Sequence, residues 1–220
     1  MTSHGILAVW NDCRPGSEDA YEAWYRGEHL RERVAVPGFI CGRRYVSLTQ
    51  SSPRYFTAYL TETPDVLRSP AYLERGANPT PMTRHIMSTV FQNMIRTVCR
   101  RARCEGEAEG AIAVVVRAKG DDVARIEQAW PMACALERRI RTELWLSDEA
   151  ANRTPSEEEQ IRGRDQKIDA CLVIEFTEPE HAIAASAALT DHFRTSTDAG
   201  IAVGNYRLIC SLQRRDLVGL

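Results

Sequence analysis

The sequence predicts an α+β protein: two βαββαβ units in tandem, their antiparallel sheets turned face to face. Three observations carry this. Stretches of period-two hydrophobicity alternate with stretches of period 3.6 in the order βαββαβ over residues 1–104. The same order recurs over residues 105–220, with matching segments roughly 110 residues apart, a domain-sized repeat. A sheet that carries both helices on one face leaves its other face apolar and uncovered, and a second such sheet covers it.

Residues 6–12, Ile-Leu-Ala-Val-Trp-Asn-Asp, read as a short strand, closed by turn chemistry at Arg14-Pro15-Gly16. Ser17 is placed to cap a helix whose first turn holds Glu18 and Asp19, favourable at the positive end of the helix dipole. Ala20, Ala23, Trp24, Gly27, Leu30 and Val34 form the expected apolar stripe. Pro37-Gly38 stops the helix, and a hairpin follows: Gly38–Thr49, a tight polar connection at Gln50–Pro53, then Arg54–Glu62. On the second hairpin strand Tyr55, Thr57 and Tyr59 share one face, and Phe56, Ala58 and Leu60 the other. Thr63 and Pro64 start a second helix that Pro70 breaks, and Val90–Arg100 is the last strand. Such an order is the ferredoxin-like split βαβ arrangement.

Arg100–Glu109 reads as a charged linker. Beyond it, Gly110-Ala-Ile-Ala-Val-Val-Val echoes the first strand, a helix opens near Asp121, and a strand from about Arg138 ends at Leu144-Trp145-Leu146. Glu175-Phe-Thr-Glu-Pro-Glu180 matches Tyr59–Asp65, and Asn205–Cys210 matches Asn93–Cys99. The two halves differ at Asp148–Lys167, a polar excursion with a Glu157-Glu158-Glu159 run that reads as a lid or a solvated segment.

A net charge of −2 gives no electrostatic case for nucleic acid or an anionic membrane, and no apolar run approaches the ~18 residues of a span. With no signal-peptide pattern at the N-terminus, a cytoplasmic protein is expected. Seven cysteines without a C-x-x-C or zinc spacing read as small buried hydrophobes, so neither metal nor other cofactor is expected.

Residues 18–49 concentrate aromatic and titratable side chains. Tyr21-x-x-Trp24-Tyr25-x-x-Glu28-His29-x-x-Glu32-Arg33, then Pro37-Gly38-Phe39 and Arg43-Arg44-Tyr45, resembles EthD-like proteins of the dimeric α+β barrel superfamily, here fused into one chain. The resemblance covers about the first 100 residues, and the second half by architecture only. It implies a barrel of two sheets and a small-molecule ligand. The superfamily includes cofactor-free monooxygenases, isomerases, cyclases, haem enzymes and proteins without known reaction, so it fixes no activity. Haem-binding members use a histidine in a C-terminal ferredoxin-like domain, which directs attention to His181 and His192.

His29 is the sharpest candidate: on an α-helical wheel it lies nearly opposite the apolar stripe, free to titrate near neutrality at a cavity mouth and move a proton. Tyr25 is its expected helper, and Glu28 or Glu32 its orienting carboxylate. Trp24 is expected to pack beneath the pocket. Tyr45 and Tyr59 are phenols available to a ligand, and Asn93 is a polar residue on the sheet face. Arg43 and Arg44 alternate faces, so one is expected inward, against a ligand anion, and the other in solvent. Two functions follow: a cofactor-independent enzyme moving a proton on an apolar or aromatic carbonyl compound (isomerase, cyclase, decarboxylase or monooxygenase), or a binding protein that holds such a compound without chemistry. The assembly is expected to be a pseudo-dimeric monomer or a homodimer.

Overall fold

A computed structural model describes residues 3–49, 53–153, 155–156, 158–194 and 200–217. Its elements run β1 (Gly5–Cys13), α1 (Glu18–Trp24), a π-helical turn (Tyr25–His29), α2 (Leu30–Val34), β2 (Phe39–Ser47) and β3 (Tyr55–Thr61). A 3₁₀ turn (Pro64–Arg68), α3 (Pro70–Ala77), α4 (Pro81–Thr89) and β4 (Phe91–Glu105) complete the first half. The second half holds β5 (Ile112–Ala118), α5 (Asp122–Gln128), α6 (Trp130–Cys134), β6 (Arg139–Ser147), α7 (Glu149–Asn152), α8 (Glu159–Arg162), β7 (Ala170–Phe176), α9 (Pro179–Phe193) and β8 (Ile201–Gln213). As Pro70 dictates, the helical stretch after β3 is interrupted there and restarts with Pro70 in its first turn. The expected connection at residues 50–52 lies outside the described residues.

The strands close into one barrel in the order β1-β3-β2-β8-β5-β7-β6-β4, and β4 pairs back onto β1. All of these pairings are antiparallel, and within each half the order has the same form, β4-β1-β3-β2 and β8-β5-β7-β6. The sheets do not merely face each other: β2 pairs with β8 and β4 with β6, which leaves no unpaired sheet edge. Extra length in β4 makes this possible. Arg100–Glu105, expected as linker, continues the strand and pairs with Thr142–Leu146.

Three apolar layers result. Alternation sends Ile6, Ala8, Trp10, Tyr45, Phe56, Ala58, Trp145 and Tyr206 into the barrel, where Trp10 and Tyr45 both stack on Phe56 at centroid distances of 4.9 and 5.2 Å. Leu7, Val9, Tyr55, Tyr59 and Val98 point outward under the first-half helices, and Val114, Leu144, Leu172 and Ile174 under the second-half ones. The face division expected for β3 is the one observed.

The first helix departs from its expected stripe. Ala20, Ala23 and Gly27 are exposed, whereas Tyr21, Trp24, Tyr25, His29, Leu30, Arg33 and Val34 are buried. In α1 the buried face is the aromatic one of Tyr21, Trp24 and Tyr25, and a π turn, in which the Leu30 N–H reaches back five residues to the Tyr25 carbonyl, then adds His29 to it. In a regular helix, Trp24 and His29 would project about 140° apart; here the wider turn brings them onto one face. Gly27 makes no close approach to the sheet, but Gly42 does. A Cβ there would stand 2.7 Å from Leu30 Cδ1 and 2.9 Å from Tyr59 Cδ1. Gly42→Ala is therefore expected to cost about 1–3 kcal/mol by overpacking, read as a lowered urea midpoint with an unchanged slope.

Described residues of the polar excursion after β6 pack against the first half. Asn152 brackets Val98 of β4, accepting its N–H at 2.9 Å and donating to its carbonyl at 2.6 Å. Gln166 exchanges backbone hydrogen bonds with the Met94–Arg96 segment, and the Ile168 N–H donates to Thr97 Oγ1 at 3.0 Å. The segment is a cover, supplied by one half to the other.

Candidate functional site

Beneath the first helix the π turn gathers an aromatic cage. His29 is buried and stacks on Trp24 at 4.3 Å between centroids, with the Tyr25 ring edge-on at 5.2 Å. Its Nδ1 has no hydrogen-bond partner among the described residues. Burial lowers the His29 pKa well below its ordinary value, and the nearby Arg33, Arg162 and Arg44 cations lower it further. The ring is thus a neutral base at physiological pH, with one nitrogen uncommitted. The structure corrects the expectation that it stands opposite the apolar stripe.

Tyr25 donates its phenolic proton toward Thr57 Oγ1 at 3.1 Å and lies 3.1 Å from the Tyr59 hydroxyl. Trp24 packs against His29, and its indole N–H donates to Thr83 Oγ1 at 3.0 Å. Glu28 turns away from His29. It accepts from the hydroxyls of Thr83, at 2.7 Å, and Thr80, so it clamps α4 to the first helix. Glu32 pairs with Arg75 at 3.3 Å, so neither carboxylate orients the imidazole.

The other expected residues do not join this group. Arg43 and Tyr45 face the barrel interior, where Arg43 pairs with Glu175 at 2.8 Å and Tyr45 stacks in the aromatic core. The other arginine of the pair was expected in solvent, yet Arg44 is fully buried on the opposite face. It forks onto both Glu22 oxygens at 2.6 and 2.9 Å, and its guanidinium lies over the Tyr21, Tyr25 and Tyr55 rings at 4.2–5.0 Å. Asn93 is exposed with φ 51° inside β4, where the β1–β4 register slips, and donates to Asp12 Oδ2 at 2.7 Å.

Two spaces adjoin the cage and share part of their lining. The inner one, about 20 Å³, has room for a single water and is lined by His29, Tyr25, Tyr59, Met87, Phe91 and Met94 among others. The outer one, about 290 Å³, opens between α3 and the cover segment, with Leu67, Leu73, Ala150, Ala151 and Pro155 as apolar wall. Arg33, Tyr72, Arg96 and Glu158 line both and form the partition between them. Arg33 is salt-bridged to Glu158, and its guanidinium lies 5.7 Å from the Tyr72 ring centre. Arg96 Nη2 donates to the Tyr72 hydroxyl at 2.8 Å. Burial alone would raise the Tyr72 phenol; Arg96 and Arg33 outweigh it, and its pKa falls below that of free tyrosine.

Sequence reasoning missed this partition. Arg33 stood in the helix motif without a role, and Glu158 was read within a solvated acidic run. Arg96 carried the one available signal, a charge inside the Met94–Val98 strand.

A haem does not fit the second half as it stands. Beneath α9 the space is filled by Ala182, Ala185, Leu189 and Phe193, packed with β5 and β7 side chains. His192 is exposed and meets Phe193 edge-on, and His181 is half-buried in the first turn of α9. No described helix is long and apolar enough to cross a membrane.

No family model matches the sequence, and no curated protein matches it significantly. The fold does have solved counterparts. The chain is similar over its whole length to 97% of an anthrone oxidase-like protein, with a TM-score of 0.62 at 7% identity. It matches a Fusobacterium nucleatum protein provisionally named a monooxygenase at TM-score 0.53 and 8% identity, over 96% of this chain and 95% of that one. A chlorite dismutase from Candidatus Nitrospira defluvii aligns at 0.52 and 12% identity, over 93% and 91%. At such identities what these proteins share with this chain is the fold.

Proposed function

We propose that the chain is a small-molecule enzyme that moves a proton on an apolar or aromatic carbonyl compound with its own side chains. The carrying observation is a buried, neutral-biased His29 with a free Nδ1, separated from a 290 Å³ apolar pocket only by a partition of two arginines, a tyrosine and a glutamate. In this reading the substrate's rings lie against Leu67, Leu73 and Pro155 in the outer pocket. Its acidic C–H or O–H reaches His29 once the partition yields. His29 Nδ1 takes the proton, and the negative charge left on the substrate oxygen meets Arg33, Arg96 and the Tyr72 hydroxyl, donors already in place before charge develops. Trp24 holds the imidazole plane. Such a step begins an isomerisation, a cyclisation, a decarboxylation or an oxygenation.

The reading draws support from the EthD-like resemblance of residues 21–45 and from oxidase- and monooxygenase-named neighbours of the same fold. With it goes the view that residues 1–104 and 105–220 are two ferredoxin-like units, supported by their matching strand order. Arg43, Tyr45, Asn93 and Glu28 are left out of the chemistry, because each is committed elsewhere. The test is proton exchange: a panel of aryl ketones, 1,3-diketones and polyhydroxylated aromatics is incubated in D₂O, and deuterium uptake is followed by NMR. Uptake by the wild type that His29→Asn abolishes is the expected result. Uptake that survives in His29→Asn overturns the assignment, and a panel that binds without exchanging leaves the chain a binding protein.

A further inference from the structure

The partition that closes the inner cavity is itself charged, and its charges do not balance. Among the described residues Arg33, Arg96 and Arg162 stand against Glu158 and Asp165. The adjacent Lys167–Glu159 pair, at 3.2 Å, adds nothing to the sum. Arg33, Arg96, Glu158 and Asp165 are buried, as is the Arg162 side chain, so the surplus positive charge is not dissolved in water. Burying an unpaired cation is costly, and a site arranged this way is completed by an anion.

The geometry says where that anion sits. Arg162 is satisfied by Asp165 at 2.8 Å and Glu158 at 3.2 Å, and Arg96 by Tyr72. Arg33 has its bond to Glu158 but keeps Nη1 buried and unpartnered, at a position that lines both cavities. A guanidinium presents its donors as a fork that suits two carboxylate oxygens, and here half of the fork is unused. Among the described residues the one carboxylate paired with it, Glu158, belongs to the cover segment of the other half rather than to a barrel strand, so it can leave without breaking any strand pairing.

We infer that the pocket binds a planar organic carboxylate, one or two rings in size, which takes the place of Glu158 on Arg33. Its rings lie on the apolar wall of the outer pocket, and its carboxylate spans Arg33 toward Arg96. In the empty protein Glu158 is a built-in stand-in for the ligand's acid group, and its displacement opens the partition in front of His29. The outer volume, just under the ~300 Å³ at which small-molecule pockets begin, sets the size limit. The inference rests on the proposed site but not on its chemistry.

The experiment uses 2-naphthoate and its uncharged counterpart 2-naphthamide, with binding to the full chain measured by calorimetry. Wild type is expected to bind the acid at least tenfold more tightly than the amide. Glu158→Gln, which removes the competing charge, is expected to tighten naphthoate binding about tenfold and leave naphthamide unchanged. Arg33→Gln is expected to erase the preference for the acid; where that variant does not fold, Glu158→Gln decides alone. Equal affinity for acid and amide, no binding of naphthoate at millimolar concentration, or no gain in Glu158→Gln overturns the inference. His29→Asn is expected to bind naphthoate as wild type does. Acid-selective binding without proton exchange therefore upholds this inference while the catalytic proposal fails.

Discussion

His29→Asn is expected to lower turnover about 10²–10⁴-fold, the usual contribution of a positioned general base, while KM for the same substrate changes little. The split follows from position: His29 lines the inner cavity, whereas the apolar wall that would hold substrate rings belongs to the outer pocket. The pH behaviour is specific. Because burial and three arginines depress its folded pKa, His29 remains a base below the pH at which a free imidazole is half protonated. Turnover should therefore stay level from neutrality down through about 6.5 and fall only in stronger acid. The same depression makes a stability statement. Below the ordinary histidine pKa the unfolded chain binds a proton that the folded chain does not, so this contribution to stability is complete above about 6.5 and is lost as pH falls toward the depressed folded value. The loss approaches about 1.4 kcal/mol per pH unit over that window. His29→Asn should remove that slope, so wild type and variant compared by urea denaturation at several pH values give converging curves as acid is added. Parallel curves would mean that His29 titrates normally and is not buried.

Glu143→Leu is expected to cost about 3–5 kcal/mol, the penalty for stripping the partner from buried charges. Glu143, buried in β6, collects Arg101 at 3.2 Å, Arg141 at 2.5 Å and the Trp145 indole N–H at 2.6 Å, with the Cys104 thiol at 3.8 Å. Arg43, paired to Glu175, also acts on it electrostatically. Leucine fills the volume but leaves Arg141 and the indole N–H without their acceptor. A chain of this size loses about 2–4 °C per kcal/mol, so the midpoint should fall by about 6–20 °C. Glu143→Gln keeps an acceptor for the indole and should lose less. The cluster also has an acid dependence. Burial would raise the Glu143 pKa, but Arg141, Arg43 and Arg101 outweigh it and hold it below the usual carboxylate value. Its stabilisation is present above about 4.5 and disappears as pH falls through the depressed value. Glu175 behaves oppositely: burial holds its carboxyl above the usual range despite Arg43.

Taken alone, the sequence determined the order of the strands, the break at Pro70 and the two faces of β3. These depend on neighbours one or two residues apart: alternation on a pleated strand, and proline without an N–H. It also picked out the helix that carries the candidate base. What the tertiary structure alone decided lies at longer range or breaks the local period. The π turn shifts the helix phase by one residue and so buries His29 on the face of Trp24, a shift that a wheel of constant pitch cannot contain. Arg44 lies inside because three tyrosines from α1, the π turn and β3 surround it, and Arg43 because Glu175 lies across the barrel. The partition of Arg33, Tyr72, Arg96 and Glu158 draws on two helical elements, a strand and a cover segment from the other half. Residues so far apart in the chain are brought together only by barrel closure, and no local pattern in the sequence records that they meet.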